Sequence, residues 1–365
     1  MRAAVLTTPG EPLQVRPVSA SPLEPDEIVV RIVGVGVCHT DFAALSGAVP
    51  LPLPAVVGHE GSGVVEQTGA DVTDLAVGDH VVLSFDCCRE CSQCRAGHPA
   101  YCELFAAMNY FGTRLDGEAT LRDEAGEPVH GSWFGQSSFA THAVASARNA
   151  VRVDPSLPLE LLGPLGCGLL TGAGTVFNVL RPQPGQRIGV WGLGAVGLAA
   201  IMAAKAAGCS VIVGVDPNQE RRRIAAYLGA THTVDPTATS DVAWDVLEVS
   251  DGGLDFSVDA VGLGSVIREA LAVLRTPGTC ATVGLQGLEN DITIDQGHLL
   301  IGRTLTGVIE GDADPRTFIP QLIQLWQDGK FPFDRLIETF GFEEIDKAID
   351  AAASGRVVKP VLVMA

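Results

Sequence analysis

The stretch from Ile188 to Asp216 constrains this chain more than any other. An apolar run, Ile188–Trp191, leads directly into Gly192-Leu193-Gly194-Ala195-Val196-Gly197, and small apolar residues continue to Ala207 before Gly208. A G-x-G-x-x-G motif alone is weak; between a strand and a helix it specifies a dinucleotide-binding turn. The first glycine permits the tight turn, the second lets the backbone approach a pyrophosphate, and the third lets the helix pack close to the sheet. The helix N-terminus supplies amide donors to the phosphates. Val211–Val215 reads as the second strand and ends at Asp216, 19 residues after Gly197. A carboxylate there accepts hydrogen bonds from ribose hydroxyls and repels a 2′-phosphate, so NAD is expected rather than NADP. Arg221 is a nearby cation that works against that preference, whereas Arg222 and Arg223 are expected on a solvated helix face.

The same alternation continues. Helices are predicted at Glu220–Leu228, Asp241–Val249 and Ser265–Leu274, and strands at Thr231–Val234, Asp255–Val258, Thr279–Val283 and Thr304–Val308. Strands alternating with helices of this length imply an α/β domain with a doubly wound, parallel, six-stranded sheet. Before it, short β-rich runs (Ile28–Val37, Gly63–Gln67, His80–Phe85, Phe139–Val144) are punctuated by Gly and Pro and suggest an antiparallel, barrel-like domain. The polar stretch Glu103–Gln136 reads as an excursion on that domain's surface. After the sixth strand come an amphipathic helix, Phe318–Gln327, and an apolar strand, Val357–Val363.

At 365 residues the chain is long enough for about two domains, and 47% hydrophobic against 18% charged residues rules out global disorder. Lys and Arg number 24 against 43 Asp and Glu, a net charge of −19. Such a surface repels phosphate backbones and anionic lipid, so neither nucleic acid nor membrane is expected as the partner. Met1–Glu11 has no apolar stretch of signal-peptide kind, and the longest apolar run, Ile188–Ala204, is broken by glycines. A cytoplasmic protein is expected.

Of nine cysteines, four fall at Cys88, Cys91, Cys94 and Cys102. Cys-x-x-Cys lets two thiolates reach one ion from a single turn, and four such ligands close a tetrahedral Zn–S4 shell with no open position. This zinc would be structural. Cys87 reads as a bystander, and Cys209 and Cys280 as core thiols.

Three further segments carry metal-ligand residue types: Cys38-His39-Thr40-Asp41, Gly58-His59-Glu60 and Gly163-Pro164-Leu165-Gly166-Cys167-Gly168. Taken singly, each has a plain structural explanation, and spacing does not show that they meet. With the four-cysteine lobe, the glycine fingerprint and the closing Lys359-Pro360-Val361-Leu362, however, the chain resembles the zinc-dependent alcohol dehydrogenases of the medium-chain dehydrogenase/reductase family over essentially its whole length. Gly135-Gln136-Ser137-Ser138-Phe139-Ala140, Glu310-Gly311-Asp312 and Phe318-Ile319-Pro320 are most similar to its aryl-alcohol (benzyl alcohol) branch.

The resemblance implies a GroES-like β-barrel catalytic domain over 1–168 with a structural zinc lobe at about 86–103. A Rossmann NAD-binding domain would cover 169–308, and 309–365 would return to the catalytic domain. It implies two Zn2+ per chain, the second held by Cys38, His59 and Cys167 with a fourth position open to water or alcohol. Asp41 would accept from the far nitrogen of His59, and Thr40 would take the alcohol proton. Glu60 would border the metal, either approaching it transiently or making a plain salt bridge. Lys359 would bind cofactor phosphate, and Gly284 and Leu285 would meet the nicotinamide carboxamide. The histidine that ends the proton relay in many members is replaced by Ala43, which leaves His39 as a candidate for proton exit or for pyrophosphate binding. Phe85, Trp133 and Phe134 are candidate walls of an apolar pocket. The expected activity is oxidation of a benzyl-type alcohol to its aldehyde by a homo-oligomer. Geraniol-type terpenoid alcohols are the near alternative; a formaldehyde-type dehydrogenase acting on a thiol adduct and a non-catalytic NAD-binding redox sensor are the remoter ones.

Overall fold

The computed structural model describes residues 1–287 and 290–364, which form two compact units. The first comprises Met1–Cys167, Asp314–Gln321 and Asp334–Ala365; the second comprises Gly168–Ala313 and Leu322–Phe333. The chain therefore returns to the first unit at 314 rather than 309, and 322–333 go back to the second.

The first unit is built on the strand Glu27–Gly36, whose Ile28, Val30, Ile32 and Val35 are buried. One edge of it pairs antiparallel with Glu60–Thr68, which passes on to His80–Leu83 and Ala150–Val153. The other edge is shared between His142–Ser146 and Lys359–Val363, and the latter pairs parallel with Ile337–Gly341. The last strand of the sequence thus lies beside the central one. The stretch Glu103–Gln136 is not a surface excursion throughout. The helix Phe105–Tyr110 buries Phe105, Met108 and Asn109, and the chain dives back inside at Trp133–Gln136. Two apolar anchors and the Asn109–Asp86 hydrogen bonds hold it there.

In the second unit six parallel strands run in the order His232–Val234, Val211–Val215, Arg187–Trp191, Leu254–Asp259, Leu274–Thr282, Arg303–Gly307. The order reverses beside Arg187–Trp191, the switch point at which such sheets bind their ligands. The helix Ala195–Ala206 leaves that strand through the glycine turn. Leu274–Thr282 starts five residues before the predicted strand, because the apolar Leu274 already pairs with Leu254. The amphipathic helix is Pro315–Gln327; proline at its first position is preset for helical φ. No helix among the described residues is long and apolar enough to cross a membrane.

Candidate active site

The central strand delivers Cys38 to the N-terminus of the helix His39–Leu45. His59 enters just ahead of the strand Glu60–Thr68, behind Gly58, whose φ is +89°; a Cβ there would lie 2.4 Å from the Phe139 ring. A tight turn, Gly163–Gly166, presses on both neighbouring strands. A Cβ on Gly163 would sit 2.1 Å from the Glu60 carbonyl oxygen, and one on Gly166 2.1 Å from that of Leu83. This contact brings in Cys167. One ligand atom each from Cys38, His59, Glu60 and Cys167 lies within 4.8 Å of the others, and all four lie in the first unit.

His59 Nδ1 is 2.7 Å from Asp41 Oδ1, while Nε2 is buried with no hydrogen-bond partner among the described residues. If Nδ1 carries the proton for Asp41, Nε2 presents a lone pair, the form a metal takes. The Cys38 thiol is held well below its usual range, first by its hydrogen bond with Cys167, against burial and with help from Lys359. Two soft sulfurs and an orphaned imidazole nitrogen fit zinc.

Asp41 gathers this corner. Its Oδ2 accepts from Cys38 N at 3.1 Å; its Oδ1 accepts from Gly58 N and Trp133 Nε1, each at 3.1 Å, besides His59. Thr40 Oγ1 is 3.9 Å from Cys38 Sγ, and His39 is exposed with its ring edge-on to Phe42. Lys359 Nζ donates to both Glu60 oxygens at 2.8 Å and to Val37 O at 3.2 Å. Its side chain is only 2% exposed, so its three donors are consumed inside the first unit. The structure thus gives Lys359 a buried partner, Glu60, besides the phosphate-binding role expected for it. Glu60 takes the salt-bridge arrangement, and burial still pushes its carboxyl up to about 7 against the pull of Lys359.

The sulfur atoms of Cys88, Cys91, Cys94 and Cys102 also lie within 4.8 Å of one another. Backbone N–H groups of Cys88, Glu90, Cys91, Cys94 and Leu104 point at three of these sulfurs at 3.3–3.5 Å. Amide donors favour the thiolate form that binds metal. The Cys91 thiol falls to about 6 for this reason, led by the backbone at Glu103 and Cys94. Cys87 lies outside the cluster, and burial pushes its thiol up to about 11. Cys280 is a core thiol; Cys209, read as core, is only partly buried.

In the glycine turn, Gly192 has φ +85°, and a Cβ on Gly197 would fall 1.8 Å from the Gly192 carbonyl oxygen. A Cβ on Gly194 would meet nothing within 4 Å, which is the open space a pyrophosphate needs. Leu193 N donates to Asp216 Oδ2 at 2.7 Å and Asn218 N to Oδ1 at 2.7 Å, so Asp216 braces the turn from the end of the strand Val211–Val215. Leu193 is buried, and Ala195 and Val196 open the helix. Arg222 is not on a solvated face: it donates to Asp216 O and pairs with Asp235, both at 2.7 Å, because Asp235 follows the adjacent strand. Arg223 is exposed and paired with Glu220. Arg221 Nε is buried without a partner among the described residues. Gly284 N reaches Asp259 O at 3.2 Å, and Leu285 is 61% exposed.

Phe85, Trp133 and Phe134 are all buried. Phe134, in left-handed backbone at φ 52°, stacks on His59 with centroids 4.4 Å apart. Phe105 and Tyr110, which no motif singles out, complete the group through contacts with Phe85, Trp133 and Phe134. Gln136 was also missed as an individual residue. Its amide donates to His59 O and Ser84 O and accepts from Gly61 N and Ser138 Oγ, fixing the strand that carries His59. Only its place in the Gly-Gln-Ser-Ser segment signalled it.

Comparison with known proteins agrees with this geometry. Residues 24–155 match the alcohol dehydrogenase GroES-like domain and residues 195–328 the zinc-binding dehydrogenase family. The chain is 47% identical over 364 residues to a geraniol dehydrogenase of Castellaniella defragrans, covering 99% of this chain and 97% of that one. The crystal structure of a benzyl alcohol dehydrogenase from Acinetobacter calcoaceticus superposes with a TM-score of 0.95 at 41% identity, covering 100% and 99%. That of an alcohol dehydrogenase zinc-binding domain protein from Burkholderia ambifaria gives 0.97 at 44%, covering 100% and 98%.

Proposed function

Since the chain belongs to the zinc-dependent alcohol dehydrogenases of the medium-chain dehydrogenase/reductase family, we propose that it oxidises primary aromatic or allylic alcohols to aldehydes, reversibly, with NAD as the acceptor. The observation that carries the reading is the convergence of Cys38, His59 and Cys167 around the orphaned His59 Nε2, with an aromatic ring stacked on that imidazole.

Cys38, His59 and Cys167 would hold a zinc that makes an alcohol O–H more acidic, while nicotinamide supplies the acceptor for the hydride. Asp41 fixes the ring orientation and tautomer of His59. The Thr40 hydroxyl, beside Cys38, receives the alcohol proton, and exposed His39 passes it to solvent. Trp133 and Phe134 pack around His59, and Phe85 joins the same aromatic group through Phe105, which suits a conjugated substrate. Both benzyl and allylic alcohols give conjugated aldehydes, and the relatives named for geraniol and for benzyl alcohol support one chemistry with two substrate shapes.

Asp216, at the ribose position, supports NAD over NADP. The two four-residue clusters support two zincs per chain. Arg303–Gly307 is the outer strand of its sheet, and exposed Leu299, Leu300 and Ile301 precede it; this supports a homo-oligomer. The intact ligand set weighs against a non-catalytic sensor, and a buried Lys359 already neutralised by Glu60 weighs against the cationic pocket of a formaldehyde-type enzyme.

The test is NADH formation with benzyl, cinnamyl, geranyl and short aliphatic alcohols, before and after chelation. Turnover highest on conjugated alcohols and abolished by chelation is expected. Turnover highest on ethanol, or one zinc per chain, would overturn the reading.

A further inference from the structure

We infer that Trp133 is a positioning residue of the metal centre, holding Asp41 and through it His59. The inference rests on the reading of Cys38, His59 and Cys167 as a zinc site. Asp41 is fully buried, and three of its four described donors, Cys38 N, Gly58 N and His59 Nδ1, belong to the segments that carry ligands. Through these donors Asp41 ties the ligand segments to one another. Among the described residues, Trp133 Nε1 is the donor to Asp41 that comes from outside those segments.

Trp133 is itself well fixed. It is fully buried, and its backbone N–H donates to Ser137 Oγ at 2.8 Å; that hydroxyl donates to Val56 O at 2.6 Å, in a strand paired with Arg2–Leu6. Tyr110 and Phe134 pack on its ring at centroid distances of 5.9 and 5.2 Å. The left-handed backbone of Phe134 then lays the next ring on the face of His59. Two consecutive residues therefore restrain one ligand, Phe134 across its ring face and Trp133 through the carboxylate at its Nδ1. A pocket wall needs the apolar ring of Trp133 but makes no use of its N–H; the positioning role needs the N–H.

The experiment compares W133F with a chain carrying 3-benzothienylalanine at 133, which keeps the ring shape but replaces the N–H with sulfur. Zinc release to a chelator is followed in the whole protein, together with the visible spectrum of the cobalt-loaded form and kcat and KM for benzyl alcohol. Both variants are expected to release one of the two zincs about 10- to 100-fold faster than wild type, with a shifted cobalt spectrum and a fall in kcat larger than any rise in KM. Release of the four-cysteine zinc should be unchanged. Wild-type release rates and spectrum in the benzothienylalanine form, with only KM altered, would overturn the inference. A wild-type chain holding a single zinc would overturn the site reading instead.

Discussion

Lys359 Nζ lies 2.8 Å from both carboxylate oxygens of Glu60, and neither side chain reaches solvent to a useful extent. Gly36 makes the pair possible, since a Cβ at that position would sit 2.0 Å from Glu60 Oε2. Truncating one member of a buried pair strands the other charge. K359M is therefore expected to lose about 3–5 kcal/mol of stability, and K359M/E60Q to recover most of it. Urea unfolding at pH 8, above the value of about 7 that Glu60 takes beside Lys359, checks this. An unchanged midpoint for K359M would show that the ammonium is not what keeps the carboxylate in place.

Two glycines of the fingerprint separate folding from binding. Since a Cβ on Gly194 meets nothing, G194A should keep the wild-type melting temperature yet bind NAD roughly 10-fold or more weakly, a loss of at least ~1.4 kcal/mol. G197A must push the Gly192 carbonyl aside and should lose about 1–3 kcal/mol of stability as well. Thermal scans and NADH fluorescence titrations distinguish the two. Wild-type affinity in G194A would mean that no phosphate passes close to that backbone.

Replacing Asp216 with Asn keeps the shape but removes the charge that faces both Leu193 N and the ribose position. The ratio of kcat/KM for NADP to that for NAD should rise by roughly 10-fold or more, the worth of one charge-assisted hydrogen bond. A ratio that stays fixed would assign cofactor choice elsewhere.

The two neighbouring cysteines of the metal lobe should behave oppositely. C88S removes a sulfur that contacts those of Cys94 and Cys102, so metal analysis should find one zinc fewer and the melting temperature should drop by about 5 °C or more. C87A lies outside the cluster and should leave the metal content unchanged. Loss of metal from C87A would reassign the fourth ligand.

The cofactor-binding unit was legible because its period announces it. Val211–Val215 falls where the pattern put it, and the other five strands differ only at their ends. The four-cysteine lobe was equally plain, since its ligands are close in sequence. Convergence of Cys38, His59 and Cys167 came from family likeness, because no local pattern encodes a meeting of three distant segments. The residues whose contacts no pattern foretells are cations and aromatics whose partners are far along the chain. Lys359 finds Glu60 across a sheet, Arg222 finds Asp235, and the indole of Trp133 finds Asp41. An alternation pattern assigns such side chains to a face, and it carries no information about which distant polar group that face will meet.

The strand Lys359–Val363 fills the slot beside Glu27–Gly36, so the cation that meets Glu60 is made 299 residues after it. On the ribosome, Cys38, His59 and Cys167 would emerge while Glu60 still lacks its counter-charge. Chains that stall between Cys167 and Lys359 would therefore carry all three ligand residues, and Glu60 without the cation that meets it in the finished fold.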